Sequence, residues 1–320
     1  MRNHNQTGWA ADRVETEGFA STLPALYGEQ LDELPFHRDR SAFPFRFLAR
    51  AIKGSKKVTA GRLVSFNQGS VGSCVGCMGS RVADLTAACD IYQRREPERW
   101  PTNSNGRALV SSPEYCYAAA RQVVGNLGRW DGATGSGMAR AFKEIGVAYQ
   151  KPYGLDLDLS RYSSTRARDW ARRGVPEPVL MSAKEHPFRA TVRVTSTEHA
   201  VALLQNGYGV GICSGLGWNT RRDVDGFCRR VRAGWAHAMA VVGYLVTASG
   251  RRGLVVQNSW GPDWVSGPRP ALCPDLPDGG FVCDWRDFEN VVSSGDCWAY
   301  GGFKGFEVSP FDWSQGGLGW

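Results

Sequence analysis

Apolar side chains recur at helical spacing in the stretch that follows residue 74. Their separations alternate between three and four residues, which puts all of them on one face of an α-helix. The positions are Val75, Met78, Val82, Leu85, Cys89 and Tyr92. This pattern predicts a buried helix that begins at Cys74, and further patterns predict helices at about 113–124 and about 137–145. We therefore expect the first half of the chain to be mainly helical.

The pattern changes after about residue 185, where short β-prone runs replace the helical spacing. These runs are "ATVRVT", "GYGVGIC", "HAMAVVGYLVT", "GLVVQNSW" and "GFVCDW". The turn "ASGRRG" predicts a hairpin that joins 237–246 to 253–260. Only "STEHAVALLQNG" is typical of a helix, because it opens with a Ser/Thr cap and closes at Gly207. A helical half followed by a sheet half predicts an α+β fold with a site in the cleft between them.

We divide the chain into four parts. They are an N-terminal arm (1–62), a helical lobe (63–180), a β-rich lobe (181–308) and a C-terminal tail (309–320). The arm mixes Pro, Gly and charge, so we expect little regular structure in it. It has no recognisable propeptide helix, and we therefore do not expect control by proteolytic activation. The apolar tail is a candidate docking segment for a neighbouring protein.

Composition narrows the function classes. A chain of 320 residues with 42% hydrophobic content can bury a core, which argues against global disorder. The net charge of +7 is spread out, and the Arg-rich stretches at 161–173 and 221–232 lack the interleaved aromatic residues of a single-strand binder, so no nucleic acid partner is expected. The first residues lack the apolar region of a signal peptide, and no stretch approaches the roughly 18 unbroken apolar residues of a membrane span, so we expect neither. We expect a cytoplasmic or virion location and no membrane partner.

Three segments carry candidate chemistry for acyl transfer by a thiol. Cys74 lies at a predicted helix N-terminus, where the helix dipole and free amide groups favour thiolate. His237, at the start of a predicted strand, can accept the thiol proton, and Asn258 on the other hairpin strand can orient the imidazole. Gln68 precedes Cys74 in a glycine-rich turn, so its amide and the Cys74 backbone N–H can form an oxyanion hole.

Other interpretations of these residues stay open at this point. Cys74 and Cys77 form a C-x-x-C, which also suits a redox pair or half of a zinc site, although no second close cysteine pair completes a zinc site. A small buried residue is the simpler interpretation of Cys77. His199, beside Glu198, is an alternative base but fits a solvated helix start. Cys273 and Cys283 are candidates for a disulfide.

The three segments together resemble the papain-like cysteine peptidases. The family pattern Q-G-S-x-G-S-C matches residues 68–74, H-A-[VM]-x-x-V-G-Y matches residues 237–244, and N-S-W-G matches residues 258–261. The resemblance implies a two-lobe papain-like fold, with a helical first lobe, an antiparallel sheet or barrel as the second, and the active-site cleft between them. It also implies peptide-bond hydrolysis without a cofactor or metal. The implied roles are nucleophile Cys74, base His237, orienting Asn258, oxyanion donor Gln68 and shielding Trp260.

The resemblance also implies a substrate wall. The glycine-rich loop at residues 131–137 would pair with the backbone of an extended peptide. The implied substrate contacts are Gly135, Ser136, Gly137, Ala236 and Trp260. Val71 and Val75 replace a disulfide cysteine and an aromatic residue that are usual near the nucleophile, which resembles the bacterial and viral branch. The alternative function is a papain-fold component of a larger assembly, such as a phage particle, with dormant or single-use activity and partners bound through the arm and tail.

Overall fold

The computed structural model describes residues 8–23, 36–93 and 100–303, so the predicted C-terminal tail lies outside the described residues. Within these ranges no helix is long and apolar enough to cross a membrane. The helices are α1 Arg13–Ser21, α2 Phe45–Ala51, α3 Cys74–Gln93, α4 Pro113–Gln122, α5 Gly135–Glu144, α6 Ser164–Arg173, α7 Glu177–Ala183, α8 Thr197–Gln205 and α9 Trp285–Val292.

An antiparallel sheet of six strands forms the centre of the second half. Its strand order is β3-β10-β4-β7-β8-β9, and two short two-stranded sheets, β1-β2 and β5-β6, accompany it. The strands are β1 Val58–Thr59, β2 Arg62–Leu63, β3 Phe188–Arg193, β4 Gly209–Ser214, β5 Gly217–Trp218, β6 Arg230–Val231, β7 His237–Val246, β8 Arg252–Gln257, β9 Gly280–Asp284 and β10 Trp298–Phe303. Because β10 lies between β3 and β4, the end of the described chain connects β3 to the rest of the sheet.

The glycine-rich turn before α3 sets the start of that helix. Gly69 has a φ of +69°, a left-handed conformation that glycine adopts at little cost. The backbone N–H of Ser73 bonds to the carbonyl of Val71, at 2.7 Å, and the Ser73 hydroxyl contacts the Tyr162 hydroxyl, at 2.9 Å. The chain turns tightly here and enters α3 at Cys74.

Two apolar clusters cover the two faces of the sheet. The first joins the helical half to one face and contains Val75, Met78 and Val82 of α3. The second covers the other face and includes Leu203 of α8 and Phe288 of α9. Helix α3 is buried on all sides, which explains its near-continuous run of apolar and small residues.

Several predicted elements are confirmed. Helix α3 begins at Cys74 as expected, and the other two predicted helices correspond to α4 and α5 with small shifts at their ends. The predicted hairpin is β7-β8. The predicted cap of α8 is Ser196, whose hydroxyl accepts the backbone N–H of His199 at 3.0 Å. The mixed helical and antiparallel arrangement confirms the α+β fold.

One expectation was wrong, and one open alternative is not realised. The arm is more regular than expected, because it contains α1, α2 and the β1-β2 pair, and residue Ala42 forms an antiparallel bridge with Tyr244 of β7. Tertiary packing stabilises these elements, which are too short to be stable alone. The disulfide for which Cys273 and Cys283 were candidates is absent among the described residues, where both cysteines are buried free thiols.

Candidate active site

The hairpin brings His237 and Asn258 into contact. His237 is the first residue of β7, and Asn258 follows the last residue of β8. The His237 Nε2 atom lies 2.7 Å from Asn258 Oδ1. Oδ1 also accepts the backbone N–H of Ser259, at 2.6 Å, which fixes the orientation of the carboxamide. Because a carboxamide oxygen only accepts, the imidazole proton belongs on Nε2, and Nδ1 is left as the basic nitrogen.

Cys74 lies at the start of α3, beside the start of β7. Backbone N–H groups of Ala238 and Val75 lie near its sulfur and favour the thiolate. The side chain is 0% exposed. Burial raises the pKa of the Cys74 thiol to about 12, and the N–H donors oppose this only in part. In this closed arrangement the thiol is therefore protonated at neutral pH.

Burial also decides the protonation state of His237. It lowers the pKa of the imidazole to about 4, although the hydrogen bond with Asn258 acts in the opposite direction. The Nδ1 atom is buried and has no hydrogen-bond partner within the part of the chain that the structure describes. The Trp260 ring lies 4.4 Å from the imidazole, between ring centroids, and covers the pair. The site therefore holds a neutral imidazole with a free basic nitrogen.

Gln68 connects the turn before Cys74 to the segment after Asn258. Its backbone N–H donates to the carbonyl of Ser259, at 3.0 Å, and its Oε1 accepts the Ser259 hydroxyl, at 2.7 Å. Its Nε2 donates to the carbonyl of Val71, at 3.0 Å. A carboxamide nitrogen carries two hydrogens, so this contact leaves one N–H for a ligand.

The two residues considered as alternatives, His199 as a base and Cys77 as a redox or zinc-binding partner of Cys74, lie away from the site or are packed into the core. His199 is on α8, which packs in the second apolar cluster, whereas Cys74 belongs to the first cluster on the other face of the sheet. Cys77 is 2% exposed and lies one turn along α3, so it is a buried free thiol. In the described ranges no group of three or more His, Cys, Asp or Glu side chains is arranged to hold a metal ion.

An extended segment of the arm runs through the cleft. The backbone N–H groups of Gly8 and Trp9 both donate to the carbonyl of Ala236, at 3.1 Å each. On the opposite wall the N–H of Ala133 donates to the carbonyl of Gly8, at 2.9 Å, and the N–H of Ala10 donates to the carbonyl of Ala133, at 3.0 Å. Trp9 and Ala133 thus form a parallel β-bridge. The protein's own chain uses the backbone groups that line the cleft.

Residues 8–10 are hereafter called the cleft segment. They approach the walls of the cleft so closely that neither Gly8 nor Gly132 has room for a side chain. A Cβ on Gly8 would lie 2.6 Å from the carbonyl oxygen of Gly72 and 2.7 Å from the sulfur of Cys74. A Cβ on Gly132 would lie 2.8 Å from the carbonyl oxygen of Gly8. The backbone of Gly8 therefore covers the sulfur, which explains why Cys74 is buried.

Helix α1 holds the cleft segment in place. Asp12 caps the helix, and its carboxylate accepts the backbone N–H of Glu15. The ring of Phe19 packs on Trp298 with 5.3 Å between centroids. An exposed ion pair joins Glu17 to Arg193 of β3, at 2.7 Å. Apolar packing carries most of this attachment, because exposed ion pairs contribute little.

Two acidic side chains meet beneath α1. Glu15 accepts the hydroxyl of Ser136 through Oε2, and Asp296 accepts the backbone N–H of Ser136, at 2.8 Å. Burial and then the charge of Asp296 raise the pKa of Glu15 to about 7, while Arg140 lowers it and Asp12 raises it further. Glu15 is therefore partly protonated near neutral pH when α1 is docked.

The structure shows what the residues of the predicted substrate wall contact. Gly135, Ser136 and Gly137 begin helix α5, and their N–H groups bond to Asp296 and Thr134. Within the loop at residues 131–137, the residue that pairs with the cleft segment is Ala133, and the Ala236 carbonyl pairs with the cleft segment from the other wall. Trp260 lies against His237. Sequence reasoning included Ala133 in the predicted wall loop without naming it as the pairing residue, and it missed Asp296, which belongs to no recognisable motif.

Comparison with solved structures shows that the chain has the fold of the papain-like cysteine proteases, and it confirms the predicted fold family. One similar structure is xylellain, a cysteine protease from Xylella fastidiosa, with a TM-score of 0.51 and 14% identity over 94% of this chain and 93% of that chain. Another is procathepsin B S9 from Trypanosoma congolense, with a TM-score of 0.52 and 15% identity over 94% of this chain and 87% of that chain. No protein-family model matches the sequence. The search of curated proteins also gave no match.

Proposed function

We propose that this protein is a cysteine peptidase that hydrolyses peptide bonds through Cys74, His237 and Asn258, and that it is dormant while the cleft segment is bound. The observation that carries the proposal is the 2.7 Å contact between His237 Nε2 and Asn258 Oδ1 beside a thiol at a helix start. A positioned imidazole with a free Nδ1 next to a helix-terminal cysteine is the arrangement that nucleophilic acyl transfer requires.

The mechanism assigns one role to each group. His237 Nδ1 takes the proton of the Cys74 thiol, and the sulfur attacks the carbonyl carbon of the substrate. The N–H of Cys74 and the remaining N–H of Gln68 stabilise the oxyanion of the tetrahedral intermediate. The C–N bond then breaks as His237 protonates the leaving amine, which leaves a thioester on Cys74. A water molecule, deprotonated by His237, hydrolyses the thioester and regenerates the thiol.

Dormancy follows from the same burial that raises the pKa of Cys74 and lowers the pKa of His237. Taking the cleft segment out of the cleft admits water, which reduces the desolvation that keeps Cys74 a thiol and His237 neutral. Formation of the thiolate and imidazolium then becomes favourable. An extended substrate also needs the backbone groups of Ala133 and Ala236, which the cleft segment already uses. Binding of substrate and binding of the cleft segment therefore exclude each other.

A library of fluorogenic peptides tests this function on the full-length chain. The test protein is the Gly8→Ala variant, hereafter the opened protein, in which the added methyl group is expected to expel the cleft segment. We expect the opened protein to cleave peptides, Cys74→Ala in this background to lower kcat/KM by at least about 10⁴-fold, and Cys77→Ala to retain activity. Unchanged activity in the Cys74→Ala variant, or no cleavage of any peptide by the opened protein, contradicts the proposal.

A further inference from the structure

Asp131 connects the turn before the nucleophile to the wall loop of the cleft. Its Oδ2 atom accepts the backbone N–H of Gly72, at 2.9 Å, and its Oδ1 atom accepts the hydroxyl of Tyr117, at 2.6 Å. The Tyr117 oxygen in turn accepts the backbone N–H of Gly132, at 2.9 Å. Gly72 belongs to the turn that starts α3, and Gly132 belongs to the loop that pairs with the cleft segment. Three hydrogen bonds in series therefore join the turn to the wall loop.

Tyr117 is a rigid anchor for this series. It is fully buried in α4, and α4 packs so closely on α3 that a Cβ on Gly76 would lie 2.6 Å from the Cβ of Tyr117. Asp131 is exposed, so its carboxylate takes its orientation from the hydrogen bonds that it accepts. A Cβ on Gly72 would lie only 3.0 Å from the Cγ of Asp131. The carboxylate is therefore held closely between its two donors.

Hydrogen bonds, and no disulfide, hold the turn before Cys74. Val71 takes the place of the disulfide cysteine that is usual near the nucleophile, and all nine cysteines, which lie within the described ranges, are free thiols. The Tyr162 hydroxyl donates to the carbonyl of Gln68 in this turn, at 3.0 Å. Asp131 bonds to the turn next to Val71 and continues to the wall loop. Loss of its carboxylate would release this connection.

The space between the turn and the wall loop is one backbone wide. Gly8 occupies it, and a Cβ on Gly72 would lie 3.1 Å from the Cα of Gly8, while a Cβ on Gly132 would lie 2.8 Å from its carbonyl oxygen. A substrate backbone that pairs with Ala133 enters the same space. A change in its width moves the substrate carbonyl relative to the Cys74 sulfur, and a displacement of about 1 Å can lower the rate by about 100-fold.

We propose, resting on the function proposed above, that Asp131 is a positioning residue that sets the spacing between the nucleophile and the wall that pairs with the substrate backbone. It acts through Gly72 and Gly132 and not through contact with the substrate. Its acceptor oxygens carry this role. Its charge opposes the reaction, because burial is the main cause that raises the pKa of Cys74 and the charge of Asp131 adds to it.

Two alkylating reagents test the spacing in the opened protein. Acetyl-Ala-Ala chloromethyl ketone has a backbone that pairs with Ala133 before the Cys74 sulfur bonds to its methylene carbon and chloride leaves, whereas iodoacetamide needs no pairing. We expect Asp131→Ala to lower the ratio of the first labelling rate to the second by about tenfold to 100-fold. Asp131→Asn keeps an oxygen for the Gly72 N–H and should stay within about threefold of the opened protein.

The two Asp131 variants separate position from charge. Both remove the carboxylate charge, so both should shift the pH profile of iodoacetamide labelling to lower pH, and the difference between them measures position alone. Asp169→Ala, which removes an exposed carboxylate of α6, is the matched control and should leave the ratio unchanged. The proposal is overturned if Asp131→Ala keeps the ratio of the opened protein, or if Asp131→Asn lowers the ratio as much as Asp131→Ala does.

A variant outside Asp131 keeps the test decisive if Asp131→Ala does not fold. Tyr117→Phe removes the hydroxyl that joins Asp131 to Gly132, and it should also lower the ratio, while circular dichroism checks the fold. An unchanged ratio in Tyr117→Phe overturns the proposal as well.

Peptide hydrolysis distinguishes this proposal from the proposed function. In an active enzyme, Asp131→Ala should lower kcat more than it raises KM, and Asp131→Asn should restore kcat. If the ratio of labelling rates falls as expected and the opened protein hydrolyses no peptide, the positioning role stands and the peptidase function is overturned. If the opened protein hydrolyses peptides and the ratio does not fall, the peptidase function stands and the role of Asp131 is overturned.

Discussion

Replacing Gly8 by Ala is the sharpest perturbation of the cleft segment. The new methyl carbon would lie 2.6 Å from the carbonyl oxygen of Gly72 and 2.7 Å from the sulfur of Cys74. Both distances are far below van der Waals contact. The Gly72 oxygen is part of the backbone of the turn that starts α3, so it cannot rotate away. The cleft segment must therefore retreat from the cleft.

The size of the effect follows from the cost of overpacking the closed state. Opening breaks the hydrogen bonds of Gly8 to Ala236, at 3.1 Å, and to Ala133, at 2.9 Å, in the native protein and in the variant alike, so these bonds do not add to the difference. Overpacking costs about 1–3 kcal/mol. A cost in the upper part of this range, about 1.5–3 kcal/mol, shifts the ratio of open to closed protein by about tenfold to 100-fold.

Alkylation of Cys74 by iodoacetamide measures this shift. The rate of labelling, followed by mass spectrometry of the peptide that contains Cys74, is expected to rise by tenfold to 100-fold, with the upper value reached if the native protein is almost fully closed. Gly18→Ala is the matched control, because a Cβ on Gly18 of α1 meets nothing within 4 Å. Circular dichroism checks that both variants fold. Equal labelling rates in the two variants would refute the idea that the cleft segment covers the nucleophile.

Three more predictions address the docking of α1 and the chemistry. Because the pKa of Glu15 is raised from 4.5 to about 7, the docked helix prefers protonated Glu15, and docking weakens as the pH rises through this range. The labelling rate of Cys74 in the native protein, divided by the rate in Glu15→Gln, should therefore increase between pH 5 and 8. The control variant Glu17→Gln should show the same pH dependence of labelling as the native protein. A native to Glu15→Gln ratio that does not change with pH contradicts this prediction. Phe19→Ala removes about 3 kcal/mol of packing free energy and should increase the rate of Cys74 labelling at least tenfold. A labelling rate equal to that of the native protein would contradict the idea that α1 holds the cleft segment in place. Asn258→Ala should lower kcat of the opened protein about 100-fold, and an unchanged kcat would rule out orientation of the imidazole.

Much of the fold could be predicted because its signals are local. The 3-4 spacing of apolar residues after Cys74 specifies a helix whatever surrounds it, and α3 begins there. The "ASGRRG" turn between two apolar runs specifies the β7-β8 hairpin. That hairpin is enough to bring His237 near Asn258, although the sequence did not reveal the register that sets their contact.

Helix α1 could not be predicted, because its nine residues are too few for a helix to be stable alone. Its stability comes from contacts such as that of Phe19 with Trp298, which is distant in the chain. The expectation of an unstructured arm failed for this reason.

The sequence alone determined which residues are candidates for the proposed chemistry, since thiol, imidazole and carboxamide are properties of side chains, and short motifs position them near helix and strand ends. Only the tertiary structure decided which segment of the chain covers these residues. The cleft segment binds through backbone groups, which every residue possesses, so no sequence pattern distinguishes Gly8 or Ala133 as partners. The contact of Trp9 with Asp296 joins residues 287 positions apart, and only the folded chain brings them within 2.7 Å.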